Sequence, residues 1–349
     1  MIKQKILDTT LRDGSYVNEF CFSQQDVRNI VSSLEDAGIE YIEIGHGVGL
    51  GAARKGYKAA IHTDEEYIDT AREALTKSKF GAFSIVGMTE LSDIKMAAEH
   101  GMDFIRIGAD IHDTKLFPKY IDTAKSHGLY VMCNIMKSYI LSPKEFAEIA
   151  KEVKSYGADT VYLVDSAGGM FPSDIKNYYQ AVKDLAEINM GFHGHDNLGL
   201  AIANCLQAYE CGFAFIDASL QGLGRSAGNA STEILVGALL KQNHTEINVD
   251  LFKIIDAGQK YVKEITENIK RELDIISGYS DFHSSYMPII HKYAAKYSID
   301  PRKLIIELTK VNKMSAPVEL VDSIAATISK SDISTSRFEM HKYIGLEQK

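Results

Sequence analysis

The amino-acid sequence predicts an α/β protein, a (β/α)8 TIM barrel carrying a helical C-terminal extension. Three observations carry that expectation. Short β-rich runs alternate with helix-period stretches from residue 4 to about residue 243, eight times over. The helical stretches repeatedly end in glycine, at Gly38, Gly101, Gly128, Gly157 and Gly212, the residue suited to a left-handed helix cap. After about residue 245 strand-like runs cease and the pattern is mainly helical.

Strands are expected near residues 4–9, 40–45, 80–86, 103–108, 129–135, 159–165, 190–195 and 213–219. Eight alternating units favour a closed parallel barrel over an open doubly wound sheet, although periodicity does not by itself establish closure. The barrel is assigned to residues 1–245 and the extension to residues 246–349. Helical segments are expected over 250–273 and 287–329, with a break from Gly278 to Ser285. The polar stretch after about residue 330 is expected to be loosely ordered.

Composition narrows the function classes. The 349 residues are 45% hydrophobic and 24% charged, enough apolar material for an ordinary soluble core. A net charge of -9, from 47 acidic and 38 basic side chains, argues against non-specific nucleic-acid binding. It does not exclude small anionic substrates, because a local arginine overrides the average. The start, MIKQKILDTTLRDG, has no apolar signal-peptide core, and no run of roughly 20 apolar residues could span a bilayer. The spacing of Cys21, Cys133, Cys205 and Cys211 fits neither a zinc ribbon nor a disulfide framework, so reduced, mostly buried thiols in a cytoplasmic protein are expected.

In such a barrel, functional side chains gather at the C-terminal ends of the strands. Three polar segments fall there. Asp8-Thr9-Thr10-Leu11-Arg12-Asp13-Gly14 ends the first strand; alone, its Arg-Asp pair reads as a surface ion pair. Phe192-His193-Gly194-His195-Asp196-Asn197 ends the seventh, and histidines at i and i+2 on a strand face one side, so both can reach one ion. Gly222-Leu223-Gly224-Arg225-Ser226-Ala227-Gly228-Asn229 follows the eighth, as an anion cradle or a tight closing loop. Strands one, seven and eight are neighbours in a closed barrel. One carboxylate, two imidazoles and one amide then make a mixed N/O set suited to Mn2+, Mg2+ or Zn2+ with open positions.

The separated motifs TLRDGSY, IEIGHGVGLG, VDSAGGMFPSD, HGHDNLGLAIAN, IDASLQGLGRSAGNAS and GYSDFHSSY resemble the DRE-TIM metallolyases, the HMG-CoA lyase-like and pyruvate-aldolase superfamily. Within it, the chain looks closest to the 4-hydroxy-2-oxovalerate aldolase branch. That resemblance implies a class II aldolase that cleaves or forms a 4-hydroxy-2-oxo acid, with pyruvate as one product. It implies Asp13, His193, His195 and Asn229 as metal ligands, with Mn2+ favoured and Mg2+, Zn2+ or Co2+ possible. Arg12 matches the arginine that stabilises enolate charge, and Ser166 a contact to the substrate carboxylate. Asp8 and Thr10 are left as residues that shape the strand-one turn. The resemblance also implies a homodimer, an acylating aldehyde dehydrogenase as a partner, and an extension folded over the barrel mouth.

Two departures concern proton transfer. The branch carries histidine where this chain has Tyr16, and tyrosine where it has His283, while Tyr279 is retained. Tyrosine, with an ordinary pKa near ~10, is a poor base at neutral pH. Either neighbours activate Tyr16, or His46 or His283 supplies the base, or the reaction differs; His46 reads equally as a hydrogen-bonded structural imidazole. A Claisen-type acyl-CoA synthase is the alternative reaction. That branch favours an acidic or amide residue soon after Arg-Asp-Gly, and Glu-Arg in the glycine-rich loop, where this chain has Ser15-Tyr16 and Arg225-Ser226. A non-catalytic partner subunit of a dehydrogenase complex is the alternative of another class. The joint survival of Arg12, Asp13, His193 and His195 speaks against it.

Overall fold

The computed structural model describes residues 4–244, 247–266 and 272–328. Eight parallel strands pair in chain order and the eighth closes on the first: β1 Lys5–Asp8, β2 Tyr41–Ile44, β3 Lys79–Ile85, β4 Phe104–Asp110, β5 Tyr130–Met136, β6 Thr160–Asp165, β7 Asn189–Gly194 and β8 Phe215–Ala218. The seam is a parallel register running from Lys5 opposite Phe215 to Asp8 opposite Ala218. All eight expected strands are present, each boundary within two residues.

The helices α1 Gln24–Ala37, α2 Asp64–Ala74, α3 Leu91–Glu99, α4 Phe117–Ser126, α5 Pro143–Ser155, α6 Pro172–Leu185, α7 Ala201–Cys211 and α8 Thr232–Lys241 return the chain between strands and follow the last. Their starts are written locally. Ser23, Thr63 and Ser142 each accept an N–H three residues on, while Asp26, Glu66 and Glu145 reach back to the cap N–H. Helix α1 then lays Val27, Ile30, Val31 and Leu34 on the sheet at helical spacing. It stops at Gly38, whose φ of 98° is left-handed and where a Cβ would sit 2.2 Å from the Asn248 carbonyl oxygen.

Alternation of side chains along the strands separates two apolar layers. Ile6, Ile42, Ile105, Val131, Val161 and Ile216 face the helices, whereas Leu7, Phe104, Met132, Tyr162 and Phe215 fill the barrel interior. Above that plug the interior turns polar, and this is the end where the first, seventh and eighth strands deliver their motifs.

Beyond the barrel come α9 Leu251–Tyr261, α10 Lys263–Thr266, α11 Glu272–Ser280, α12 Met287–Tyr297, α13 Pro301–Val311 and α14 Val318–Thr327. Helix α9 packs on α1 and α8, and its Ile254 and Ala257, with Val262, belong to the barrel's apolar shell. A separate core begins at Leu273 and includes Phe282, Ile290, Leu304, Leu308 and Val321. Both expected segments are mainly helical among the described residues, with finer breaks. The segment 250–273 is interrupted at Val262, and the expected break at Gly278 falls later. Helix α11 runs through Gly278 to Ser280, and the chain reverses at Asp281, with φ of 53°. From 287 to 327 the chain forms three helices, restarted at Asp300-Pro301 and after Pro317. The stretch after residue 330 lies outside the described residues. Cys133 and Cys205 are buried, Cys211 is half-buried, Cys21 is exposed, and all four are free thiols. No helix among the described residues is long and apolar enough to cross a membrane.

Candidate active site

The strand-one turn is built by its own polar residues. Asp8 accepts the Thr10 N–H at 2.9 Å and the Thr232 hydroxyl at 3.2 Å, and Thr10 accepts the Leu220 N–H at 2.8 Å. Burial pushes the Asp8 carboxyl up to about 7, against the lowering effect of those hydrogen bonds. The Thr9 carbonyl accepts the N–H groups of Arg12 and Asp13 at 3.1 and 2.9 Å, a tight turn that presents both side chains at the barrel mouth.

There Asp13 meets the strand-seven histidines. One ligand atom from each of Asp13, His193 and His195 lies within 4.8 Å of the others, and all three residues are buried. The imidazoles stand perpendicular with centroids 5.1 Å apart. His193 donates its Nδ1–H to Asp217 at 2.8 Å, and His195 Nδ1 faces the Gly228 carbonyl at 3.3 Å, so each ring turns its Nε2 lone pair away from these partners. Asn229 donates to Asp13 at 2.9 Å and its buried Oδ1 has no hydrogen-bond partner. Two oriented imidazoles, a carboxylate and an orphaned amide oxygen fit a divalent cation of N/O preference. Burial would raise the Asp13 pKa, but Arg12 and the two histidines outweigh it and hold the carboxyl well below the usual carboxylate range. Burial, with Arg225 nearby, keeps His195 neutral, the form that ligates.

Arg12 is 5% exposed. It donates to Asp13 at 2.6 Å and to Glu43 at 2.8 Å, with its guanidinium carbon 4.9 Å from the Phe83 ring centroid. Glu43 also accepts from Arg106 at 2.8 Å, and Arg106 donates to Asp217 at 2.6 Å over the Tyr162 ring. A continuous buried chain therefore runs Asp13, Arg12, Glu43, Arg106, Asp217, His193. Sequence reasoning missed Glu43, Arg106 and Asp217. The signal was a charge inside each of the buried runs YIEI, FIRI and FIDA, at a position that faces the barrel interior.

A cavity of about 200 Å3 opens above the cluster, bordered by Arg12, Asp13, His193, Tyr16, Ser166 and His283. Lys137, which sequence reasoning missed, and Arg225, from the glycine-rich segment after the eighth strand, also line it. Lys137 Nζ donates to Asp110 at 3.2 Å and to the Tyr286 hydroxyl at 2.6 Å. Ser166 Oγ accepts the Lys137 N–H at 3.2 Å. Burial, Arg225 and Lys137 together hold His283 neutral, well below the ordinary histidine pKa.

Two expected participants stand elsewhere. His46 is buried outside the cavity lining, stacked at 4.0 Å on Phe20. Its Nε2 lies 2.9 Å from the Lys58 carbonyl and its Nδ1 accepts the Val48 N–H at 3.1 Å, so neither nitrogen is left for a substrate. Tyr279 is 71% exposed, because the neighbouring Gly278 turns that part of α11 onto Asn197 and Leu198. His195 and Asn229 lie behind the cavity wall, reached through Arg225 and Asp13.

Residues 3–260 match the HMGL-like family model. The 4-hydroxy-2-oxovalerate aldolase of Carboxydothermus hydrogenoformans is 35% identical over 332 residues, covering 95% of this chain and 98% of that protein. The enzyme of the same name from Pelotomaculum thermopropionicum is 35% identical over 94% of this chain and 96% of its own. Among solved structures, the HMG-CoA lyase of Brucella melitensis shares the fold at 18% identity with a TM-score of 0.64, over 76% of this chain and 99% of that one. The carboxyl transferase domain of Rhizobium etli pyruvate carboxylase does so at 16% identity with a TM-score of 0.76, over 93% and 60%. Family match, near full-length relatives and a closed barrel agree: the chain belongs to the HMGL-like family, among its aldolases, and is a carbon–carbon lyase.

Proposed function

We propose that this chain is a divalent-metal-dependent aldolase that cleaves or forms a 4-hydroxy-2-oxo acid, with pyruvate as one partner and Mn2+ as the working metal. The observation that carries the reading is the meeting of Asp13, His193 and His195 beside Arg12 at the cavity floor. A cation held by these ligands, with Asn229, supplies Lewis-acid polarisation of the 2-oxo acid. In cleavage the 4-hydroxyl loses its proton and the C3–C4 bond breaks. The aldehyde departs, and the pyruvate enolate takes a proton at C3.

Arg12 provides the fixed positive charge that faces the enolate oxygen. Its two carboxylate partners keep it ionised and its orientation set before substrate arrives. Ser166 receives the substrate carboxylate. Tyr16 and His283 are the proton-transfer groups that border the cavity, and we assign the 4-hydroxyl proton to this pair; His283 Nδ1 already accepts the Ser285 N–H and its Nε2 faces Arg225. A cytoplasmic homodimer with an acylating aldehyde dehydrogenase partner belongs to the same proposal.

Pyruvate release from a panel of 4-hydroxy-2-oxo acids, followed by coupled reduction with lactate dehydrogenase, tests the reading. Activity is expected with Mn2+, abolished by EDTA and restored on adding metal. Failure of every acid in the panel to yield pyruvate would refute it, and thiol release from acetyl-CoA with a 2-oxo acid would turn the assignment to a synthase.

A further inference from the structure

The cavity holds three cations, and two of them are already matched. Arg12 pairs with Asp13 and Glu43, and Lys137 with Asp110. Arg225 is the third. Among the described residues no carboxylate lies in ion-pair contact with it. Nη1 donates to Ser284 Oγ at 3.1 Å and Nη2 to His195 Nε2 at 3.2 Å, while Nη1 lies 3.2 Å from His283 Nε2, which carries that ring's proton because Nδ1 accepts the Ser285 N–H. The Asp13 charge acts on Arg225 from beyond contact distance, and the guanidinium's strong interaction, charge-assisted pairing with a carboxylate or phosphate, is left open for a ligand.

One of those acceptors is also contested. His195 Nε2 has a single lone pair, and the proposed metal needs the same nitrogen that Arg225 now faces. A guanidinium cannot share that lone pair with a cation. Metal loading therefore releases Nη2, beside a cavity in which Lys137 supplies a second positive charge around His283.

We propose that the aldehyde half of the substrate carries its own anionic group, a carboxylate or a phosphate, and that Arg225 receives it. This rests on the aldolase reading and narrows its substrate class from simple alkyl aldehydes to acidic ones. Arg225 then acts as the specificity-determining residue, on a loop fixed by the Gly228 N–H bond to its carbonyl at 3.0 Å and by Ser226 at φ of 56°.

The test uses the Mn2+-loaded full chain, pyruvate and matched aldehyde pairs. These are glyoxylate against acetaldehyde, succinic semialdehyde against butyraldehyde, and glyceraldehyde 3-phosphate against glyceraldehyde. Wild-type kcat/KM is expected to favour the anionic member of at least one pair by about 10–100-fold, the worth of one charged hydrogen-bonded contact. Which pair responds separates carboxylate from phosphate. Arg225→Met should collapse that ratio, and Arg225→Lys should retain part of it. Inorganic phosphate titrated calorimetrically in the presence of pyruvate should bind wild type and fail to bind Arg225→Met. Neutral aldehydes preferred or equal in every pair, or an unchanged ratio in Arg225→Met, overturns the proposal. If no aldehyde of either kind reacts, the aldolase reading fails; the phosphate titration then decides the anion subsite alone, absence of binding to wild type overturning it.

Discussion

Asp217 does not line the cavity above the cluster, yet it fixes which nitrogen of His193 carries the proton, because it accepts the Nδ1–H while Arg106 holds the same carboxylate oxygen. Losing such an outer partner weakens a metal site by roughly 10–100-fold. Asp217→Asn is expected to lower Mn2+ affinity by that factor in calorimetry, and Arg12→Lys to cut kcat by about 100–1,000-fold while the protein stays folded. Asp8 offers a pH test. Its folded pKa of about 7 lies above the ordinary carboxyl value of 3.8, so the native state holds the extra proton between them. The stabilisation is complete below about pH 4 and is lost as pH rises through 7. Asp8→Asn should therefore gain Tm relative to wild type between about pH 4 and pH 8; a difference independent of pH would contradict the burial argument. At this scale the sequence was half readable. Asp13, His193 and His195 announce themselves by residue type and by the pleat. His46 and Tyr279 do not reveal that one spends both nitrogens on backbone and that the other points outward, since both facts depend on local packing.

The elements were the most readable level. Runs such as FIRIGAD and YVMCNIM are apolar on both faces because helices cover one side and the barrel plug the other, and the periodicity shows it directly. In the extension, helical periodicity and the break around Asp281 were legible, whereas the interruption at Val262 was not, since valine carries no turn-forming signature. Gly38 shows how firmly one junction is set: the loop before α9 lies against it, and Asp250 donates its N–H to the Ala37 carbonyl at 2.8 Å. Gly38→Ala combines a left-handed backbone with a clash against a carbonyl, and should cost more than ~1 kcal/mol, read as a fall in Tm with unchanged Mn2+ affinity.

Across the whole molecule, the extension's separate core is tied to the barrel mouth by polar contacts. Asn197 donates to the Asp274 carbonyl at 3.0 Å, Arg225 reaches His283 and Ser284, and Lys137 bonds Tyr286. Metal binding at the cluster should stabilise the native state by about 2.7 kcal/mol at a concentration one hundred times Kd. A rise in Tm with Mn2+ that is absent in His193→Ala checks this; an equal rise in the variant would place the ion elsewhere. The seam between β1 and β8 carries a last consequence. Asp13 is made among the first residues, whereas His193, His195 and Asn229 come from the end of the barrel. During synthesis the nascent chain can offer only fragments of the ligand set until residue 229 has left the ribosome and the eighth strand has docked on the first. On the proposed metal site, loading would be timed to the completion of the barrel, because an unfinished chain would have no assembled ligand set at which to capture the wrong ion.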